Sequence, residues 1–158
     1  MSNLADFFQS IEIFSGLSQA QLETLSTIFQ KKTYHDGDQI VTQGEVSDLF
    51  FVILDGFVNV HRNGVFVANL GKGDYFGEAA LFHDVKRTAT ITSNQDVEIL
   101  VVPKKDFLEF LESHPEAAFK VLYRMLKLLV FRLDQTSHEL QFERRKAVTQ
   151  DAIDQLFS

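Results

Sequence analysis

The hydrophobic positions of this 158-residue chain change period twice along its length. Up to about Phe29 they follow a helical repeat: Leu22, Leu25, Ile28 and Phe29 fall on one face, and Ser18 with Gln21 has the spacing of a capping box. A shorter helical piece is predicted around Leu4 to Phe8, closed by Gly16. From Lys31 to Pro103 the chain turns to short runs of Val, Ile, Thr and Phe. Asp36-Gly37, Asp55-Gly56 and Asn63-Gly64 separate these runs, each a hairpin signal. Leu49 to Leu54 is apolar at every position, as expected of a strand covered on both faces. Phe57, Val58 and Val60 resume beyond Asp55-Gly56, and further strands are predicted at Val65 to Leu70, Ala89 to Thr92 and Val97 to Val102. The expected fold class is mainly β with α: a jelly-roll-like β-roll of about eight antiparallel strands, flanked by N-terminal helices and a long C-terminal helix.

The helical period returns at Pro103, which opens a predicted helix through Leu111, and Pro115 then sits at the favoured first-turn position of a longer one. On that helix Leu122, Leu126, Leu129 and Leu133 recur at spacings of four, three and four, and Thr136 and Leu140 keep the register of a heptad seam. A stripe of this kind can pack on the chain's own roll. Val130 and Phe131 widen it beyond what one thin roll would cover, and no Pro or Gly stops the helix after Leu140. A parallel homodimer through Leu122 to Leu140 is therefore expected. No repeat, low-complexity tract or linker is visible. The expected organisation is one domain over residues 1–140, comprising an N-terminal helical section over residues 1–30, a roll over 31–102 and hinge and dimer helices over 103–140, followed by a helical tail over 141–158.

Composition removes several function classes. With 45% hydrophobic side chains the chain can bury one sizeable core. Fifteen Lys and Arg stand against 22 Asp and Glu, a formal charge of -7, so the basic footprint of a DNA binder is missing. There is no cysteine, which excludes disulfides, iron–sulfur clusters and thiolate zinc sites. His35, His61, His83, His114 and His138 show no His-x-His or His-x-x-x-His spacing, and no nucleophile with a partner base is visible. Neither a metal, nor a cofactor, nor catalysis is expected. The first ten residues, MSNLADFFQS, lack the pattern of a secretion signal, and no apolar run approaches the ~20 residues of a membrane span. A cytoplasmic protein is expected.

The chemistry concentrates in GEAALFHDVKRTAT, Gly77 to Thr90. Gly77 lets a backbone come close to a ligand, and Glu78, Ala79, Ala80 and Leu81 are helix formers whose first amides would face an anion. Arg87, after a five-residue loop beyond Leu81, can return a guanidinium to the same spot and pair with a phosphate. Glu78 would repel phosphate but suits a neighbouring hydroxyl. Together they ask for an anion beside a sugar hydroxyl. The competing reading is a plain helix start with Glu78 complementing its dipole and Arg87 in a surface ion pair.

With its flanks, this stretch resembles the cyclic nucleotide-binding domain family. The family's phosphate-binding cassette, F-G-E-L/A-A-L, a short variable loop, then R-x-A-T, is matched by Phe76, Gly77, Glu78, Ala79, Ala80, Leu81, Arg87, Ala89 and Thr90. DGDQIVTQGE from Asp36, LDGFVNV from Leu54 and GKGDYFGE from Gly71 are similar to its turn pattern, and the likeness covers roughly residues 4–140. The resemblance implies a non-catalytic sensor or regulatory module that relays ligand binding through its C-terminal helices to an effector protein that the sequence does not name. It implies that Arg87 and the amides of Ala79 and Ala80 hold the cyclic phosphate, Glu78 takes the ribose 2′-hydroxyl and Gly77 permits the approach. Thr88 can meet the phosphate or, as in members similar to cGMP receptors, a guanine amino group. RLDQTSHEL, Arg132 to Leu140, resembles the central helix of the catabolite activator branch, where a Thr-Ser pair contacts adenine across the dimer; Thr136 and Ser137 match that pair. The reading favours cAMP as ligand, with cGMP as the alternative. That branch continues into a helix-turn-helix domain, whereas QFERRKAVTQDAIDQLFS after Leu140 is expected to form one helix and no DNA-binding domain. The rival function is a dimerisation or interaction protein with a vestigial pocket.

Overall fold

The computed structural model describes residues 4–84 and 86–157. Residues 1–3 and 158, at the ends of the expected helical segments, and Val85, in the expected loop before Arg87, lie outside them. The chain divides into two units, residues 1–120 and 121–158.

In the first unit, α1 (Leu4–Ser10), a single 3-10 turn (Glu12–Phe14) and α2 (Gln19–Ile28) precede the sheet. The capping box forms as predicted: the Gln21 amide donates to Ser18 Oγ at 3.2 Å, and the Ser18 amide donates to Gln21 Oε1 at 2.9 Å. Two of the four open donors at the helix start are thereby satisfied. Leu22 and Leu25 are fully buried on the predicted face.

Six antiparallel strands follow among the described residues: β1 (Gln30–Tyr34), β2 (Gln39–Val41), β3 (Leu49–Arg62), β4 (Val65–Leu70), β5 (Tyr75–Phe76) and β6 (Thr90–Pro103). They are ordered β1-β6-β3-β4, with β2 also on β6 and β5 also on β3. Strand β3 alternates between two apolar surroundings, which explains its unbroken hydrophobic run. Phe51 and Ile53 join Val41, Val58, Phe76, Ile91, Val97, Ile99 and Val101 in one core cluster. Phe50 meets the helical side instead, in a series of ring contacts running Phe14, Phe8, Phe29, Phe50 and Phe107 with centroids 4.9–6.4 Å apart.

Two expectations are corrected here. Asp55-Gly56 is no turn: β3 runs through it, and what the sequence divides into two strands on each side, before and after Gly56 and before and after Gln95, is one 14-residue strand in β3 and one in β6. This reduces the expected eight strands to six. Glu98 faces Asp55 and Asn94 faces Phe57, so Gln95, Asp96 and Val97 bulge against Gly56 alone. Gly56 at φ +90° and Gln95 at φ +64° absorb the kink. Asp36-Gly37 does turn the chain, but β1 and β2 each pair with β6 and not with one another. Only Asn63-Gly64, with φ of +52° and +76°, closes a two-residue hairpin, between β3 and β4.

Helix α3 (Ala79–Phe82) interrupts the strands for a single turn, and α4 (Lys104–Ser113) follows β6 with Pro103 as its N-cap. Pro103 has no capping side chain, and the Lys104 amide instead donates to the Asp48 carbonyl at 2.7 Å. Helix α5 (Pro115–Phe157) opens on Pro115 as predicted and reaches 43 residues, so the chain is mixed α/β rather than mainly β. In the second unit every described side chain from Leu129 to Leu156 is exposed, the leucines of the predicted seam included. No helix of the described residues is long and apolar enough to cross a membrane.

Candidate functional site

Of the residues singled out between Phe76 and Thr90, Phe76, Gly77 and Arg87 meet at the start of β3. Phe76 ends β5 and is buried with its ring stacked on Phe51, centroids 4.7 Å apart. Gly77 then adopts φ +81°, a conformation natural to glycine alone. A Cβ there would lie 2.8 Å from Arg87 Nη1, 2.9 Å from the Leu49 carbonyl oxygen and 3.3 Å from the Phe51 ring. The glycine thus leaves room for a cation as well as for a turn.

The main chain on both sides of Arg87 is held by the turn at Thr42 to Glu45. The Gly44 amide donates to the Arg87 carbonyl and the Arg87 amide to the Glu45 carbonyl, both at 2.8 Å. The Gln43 amide donates to Thr90 Oγ1 at 3.0 Å. Arg87 is only 8% exposed, which removes the competing reading of a surface ion pair. Its Nη2 donates to the Leu49 carbonyl at 2.6 Å and to Ser47 Oγ at 3.0 Å, and its Nη1 to the Gly77 carbonyl at 3.3 Å. The guanidinium carbon stands 5.7 Å from the centroid of Phe51. Nε is buried and has no acceptor among the described residues.

No carboxylate of the described residues forms an ion pair with this guanidinium. Burial lowers the Arg87 pKa, and the charges of Glu78 and Asp48 partly raise it again. An arginine keeps its proton at neutral pH under such a shift. A positive charge removed from water and held by two carbonyls and a hydroxyl favours an anionic partner, and the buried Nε is a donor such a partner can use once the side chain shifts toward it.

The remaining predicted residues fall around this centre in different ways. Glu78 is half-buried and precedes α3 with helical backbone angles and no cap hydrogen bond from its side chain. The Ala80 amide is engaged by the Gly77 carbonyl at 3.2 Å, so the helix start does not present a fully open row of donors; Ala79 is exposed and Ala80 buried. Thr88 is exposed and Ala89 half-buried in the bend that leads into β6. Thr136 and Ser137 lie exposed in the second unit, where the Thr136 hydroxyl donates to the Arg132 carbonyl at 2.9 Å. Among the described residues no group of three or more His, Asp or Glu is placed to hold a metal ion.

Sequence reasoning missed Ser47, Asp48 and the Leu49 carbonyl. The available signal was a polar Ser47-Asp48 pair directly before the apolar run of β3. Its link to Arg87, 40 residues away for Ser47, exists only in the fold. The Asp48 carbonyl receives the first amide of α4, and Asp84, beyond α3, pairs with Lys104 Nζ at 3.1 Å. The two segments flanking the Arg87 seat are therefore each joined to the start of α4.

Comparison with known proteins adds the following. Residues 31–114 match the model of the cyclic nucleotide-binding domain family. The chain is 40% identical over 101 residues to a cGMP-dependent protein kinase of Eimeria tenella, covering 63% of this chain and 10% of that protein. It is 36% identical over 107 residues to a cAMP-dependent protein kinase regulatory subunit of Debaryomyces hansenii, covering 67% of this chain and 24% of that protein. The chain thus spans a quarter or less of the length of these relatives, the first named as a kinase and the second as the regulatory subunit of one. The crystal structure of Thermus thermophilus catabolite activator protein superposes with a TM-score of 0.74 at 27% identity, over 83% of this chain and 62% of that one.

Proposed function

The chain belongs to the cyclic nucleotide-binding domain family, and from that premise we propose that it is a cAMP sensor, with cGMP as the alternative ligand, that relays binding through its C-terminal helices. The observation that carries this reading is Arg87: a buried cation held by neutral acceptors, with Nε unpartnered, inside the family's own cassette. In the proposed complex Arg87 and the Ala79 amide hold the cyclic phosphate, joined by the Ala80 amide as it gives up its 3.2 Å bond to the Gly77 carbonyl, and Gly77 keeps the approach open. Phe76 and Ala89 frame the cassette. Glu78 accepts the ribose 2′-hydroxyl. For the base, Thr88 and the Thr136–Ser137 pair carry the preference for cAMP, through the family resemblance alone. The two long bulged strands are consistent with a jelly-roll-like closure around the ligand.

The proposed relay uses the connections to α4. Nucleotide engages Arg87, the cassette moves inward, and α4 with the start of α5 repacks; the homodimer seam proposed at Leu122 to Leu140 then reads the change. A ligand drives such a shift only by its differential affinity for the two arrangements. Asp84–Lys104 and the Asp48 carbonyl on the Lys104 amide give the movement a physical link. Identical hydrogen-exchange protection of α4 and α5 in free and saturated protein would sink the relay.

The deciding experiment is calorimetric titration of cAMP and of cGMP into the wild-type chain and into Arg87→Ala. Removing the guanidinium should cost about 2–5 kcal/mol of binding. Glu78→Ala should weaken binding while leaving the unfolding transition in place. Absence of binding to either nucleotide would refute the sensor and turn attention to the exposed apolar stripe of α5, the observation that favours an interaction protein.

A further inference from the structure

The geometry points to Ser47 as a positioning residue for Arg87: we propose that its hydroxyl fixes the plane of the guanidinium in which the phosphate is received, an inference that rests on the nucleotide-binding reading above. Arg87 has five N–H donors. Three are directed at protein acceptors, two from Nη2 and one from Nη1. Two of those acceptors, the carbonyls of Leu49 and Gly77, belong to the main chain and would be offered by any residue there. Ser47 Oγ is the one side-chain hydrogen-bond acceptor of this guanidinium among the described residues.

Its placement constrains rotation. With the Leu49 carbonyl at 2.6 Å and Ser47 Oγ at 3.0 Å, both hydrogens of Nη2 are taken from different directions. A planar group tied at two points on one nitrogen cannot turn about its axis without losing one of them. The second Nη1 hydrogen has no protein acceptor among the described residues, and neither has Nε–H, which is buried and meets an anion only if the side chain shifts. Without the hydroxyl, the guanidinium keeps the Leu49 carbonyl on Nη2 and the long 3.3 Å bond from Nη1 to the Gly77 carbonyl, a looser hold that lets it rock over Phe51 between productive and unproductive orientations. Ser47 Oγ also receives the Leu49 amide at a long 3.4 Å, which keeps the hydroxyl over the start of β3.

The loop itself has other anchors. The Asp48 carbonyl receives the Lys104 amide at 2.7 Å, and Val46 bridges Lys86. Ser47 is half-buried and outside every regular element. Loss of its hydroxyl should therefore disturb Arg87 rather than the fold, which separates positioning from scaffolding.

The test uses the full chain as wild type, Ser47→Ala and Ser47→Thr, with titration of cAMP and cGMP, thermal unfolding, and nitrogen-15 spectra of the Arg87 side chain in unliganded protein, assigned with Arg87→Lys. A hydrogen bond to a charged group predicts roughly 10-fold weaker binding for Ser47→Ala. Ser47→Thr should stay within about three-fold of wild type, since its hydroxyl is retained. The unfolding transition should hold, and the Arg87 guanidinium signals should show faster rotation in Ser47→Ala only. In the Arg87→Lys background the Ser47→Ala effect should vanish. Unchanged affinity with unchanged Arg87 signals overturns the assignment, as does a loss that persists in Arg87→Lys, which would make the hydroxyl a loop support. If wild type binds neither nucleotide the sensor reading fails by itself, and the Arg87 signals still decide whether Ser47 orients the guanidinium.

Discussion

At the scale of single residues, Gly77 and Gly37 form a natural comparison, because both hold φ +81°. An added Cβ at Gly37 meets nothing within 4 Å, whereas at Gly77 it meets Arg87 Nη1 and the Leu49 carbonyl below 3.0 Å. Gly37→Ala should therefore cost only the backbone strain, about 1 kcal/mol, and Gly77→Ala about 2–3 kcal/mol by chemical denaturation. Nucleotide affinity should fall for Gly77→Ala alone, since the guanidinium would have to leave its seat. Tyr34 supplies a pH prediction. Burial first, and the nearby Asp38 charge second, raise its phenol pKa above the usual tyrosine value. The unfolded chain then loses this proton before the folded one as pH passes about 10, so its stabilising contribution is complete below that pH and is lost as the folded phenol titrates above it. Denaturation midpoints of wild type and Tyr34→Phe should run parallel up to about pH 9.5 and then diverge, the wild type falling faster. Arg87 itself was legible from its spacing to Gly77. Its holders were not, because two are carbonyls, which carry no residue identity.

At the scale of elements, the bulge opposite Gly56 shows where local patterning fails. A two-residue hairpin turn and a bulge like this one both use positive φ, and Asp-Gly satisfies either. Whether the chain reverses or continues depends on the partner strand, and β6 keeps pairing on both sides of Gln95. The energetics should differ across the pair. Alanine at Gly56 would place Cβ 2.8 Å from the Asp96 carbonyl oxygen and 3.1 Å from Val97 Cα, in backbone that cannot easily move. Gly56→Ala should destabilise by about 2 kcal/mol or more. Gln95→Gly relieves a non-glycine residue at φ +64°, a gain of about 1–2 kcal/mol offset by the entropy of glycine. It should leave stability within about 1 kcal/mol of wild type or raise it. Comparable losses in both variants would show that the bulge tolerates no change at all. The helix starts were far more legible: the Ser18–Gln21 capping box and Pro115 act through bonds and sterics within one turn, so neighbours in sequence suffice to specify them.

At the scale of the whole molecule, the decisive feature is the exposed apolar stripe of α5. Leu126, Leu129, Leu133 and Leu140 are each more than half exposed, at the heptad spacing expected of a seam. If the seam pairs two copies, sedimentation should show a dimer whose dissociation depends on concentration, and Leu129→Glu with Leu133→Glu should shift it to monomer. A wild-type monomer at high micromolar concentration, with nucleotide present or absent, would exclude the homodimer. Along this molecule, the sequence by itself determined the helices with local caps, the two-face burial of β3, the Asn63-Gly64 hairpin and the cassette around Gly77 and Arg87. Each of these is written in side-chain chemistry over a few residues. Only the tertiary structure decided that β3 and β6 are continuous, that Arg87 is buried on the carbonyls of Leu49 and Gly77 beside Ser47, and that the flanks of its seat are tied to α4. Those depend on strand pairing and main-chain acceptors brought together from distant stretches of the chain, and neither leaves a mark on local hydrophobic pattern or residue type.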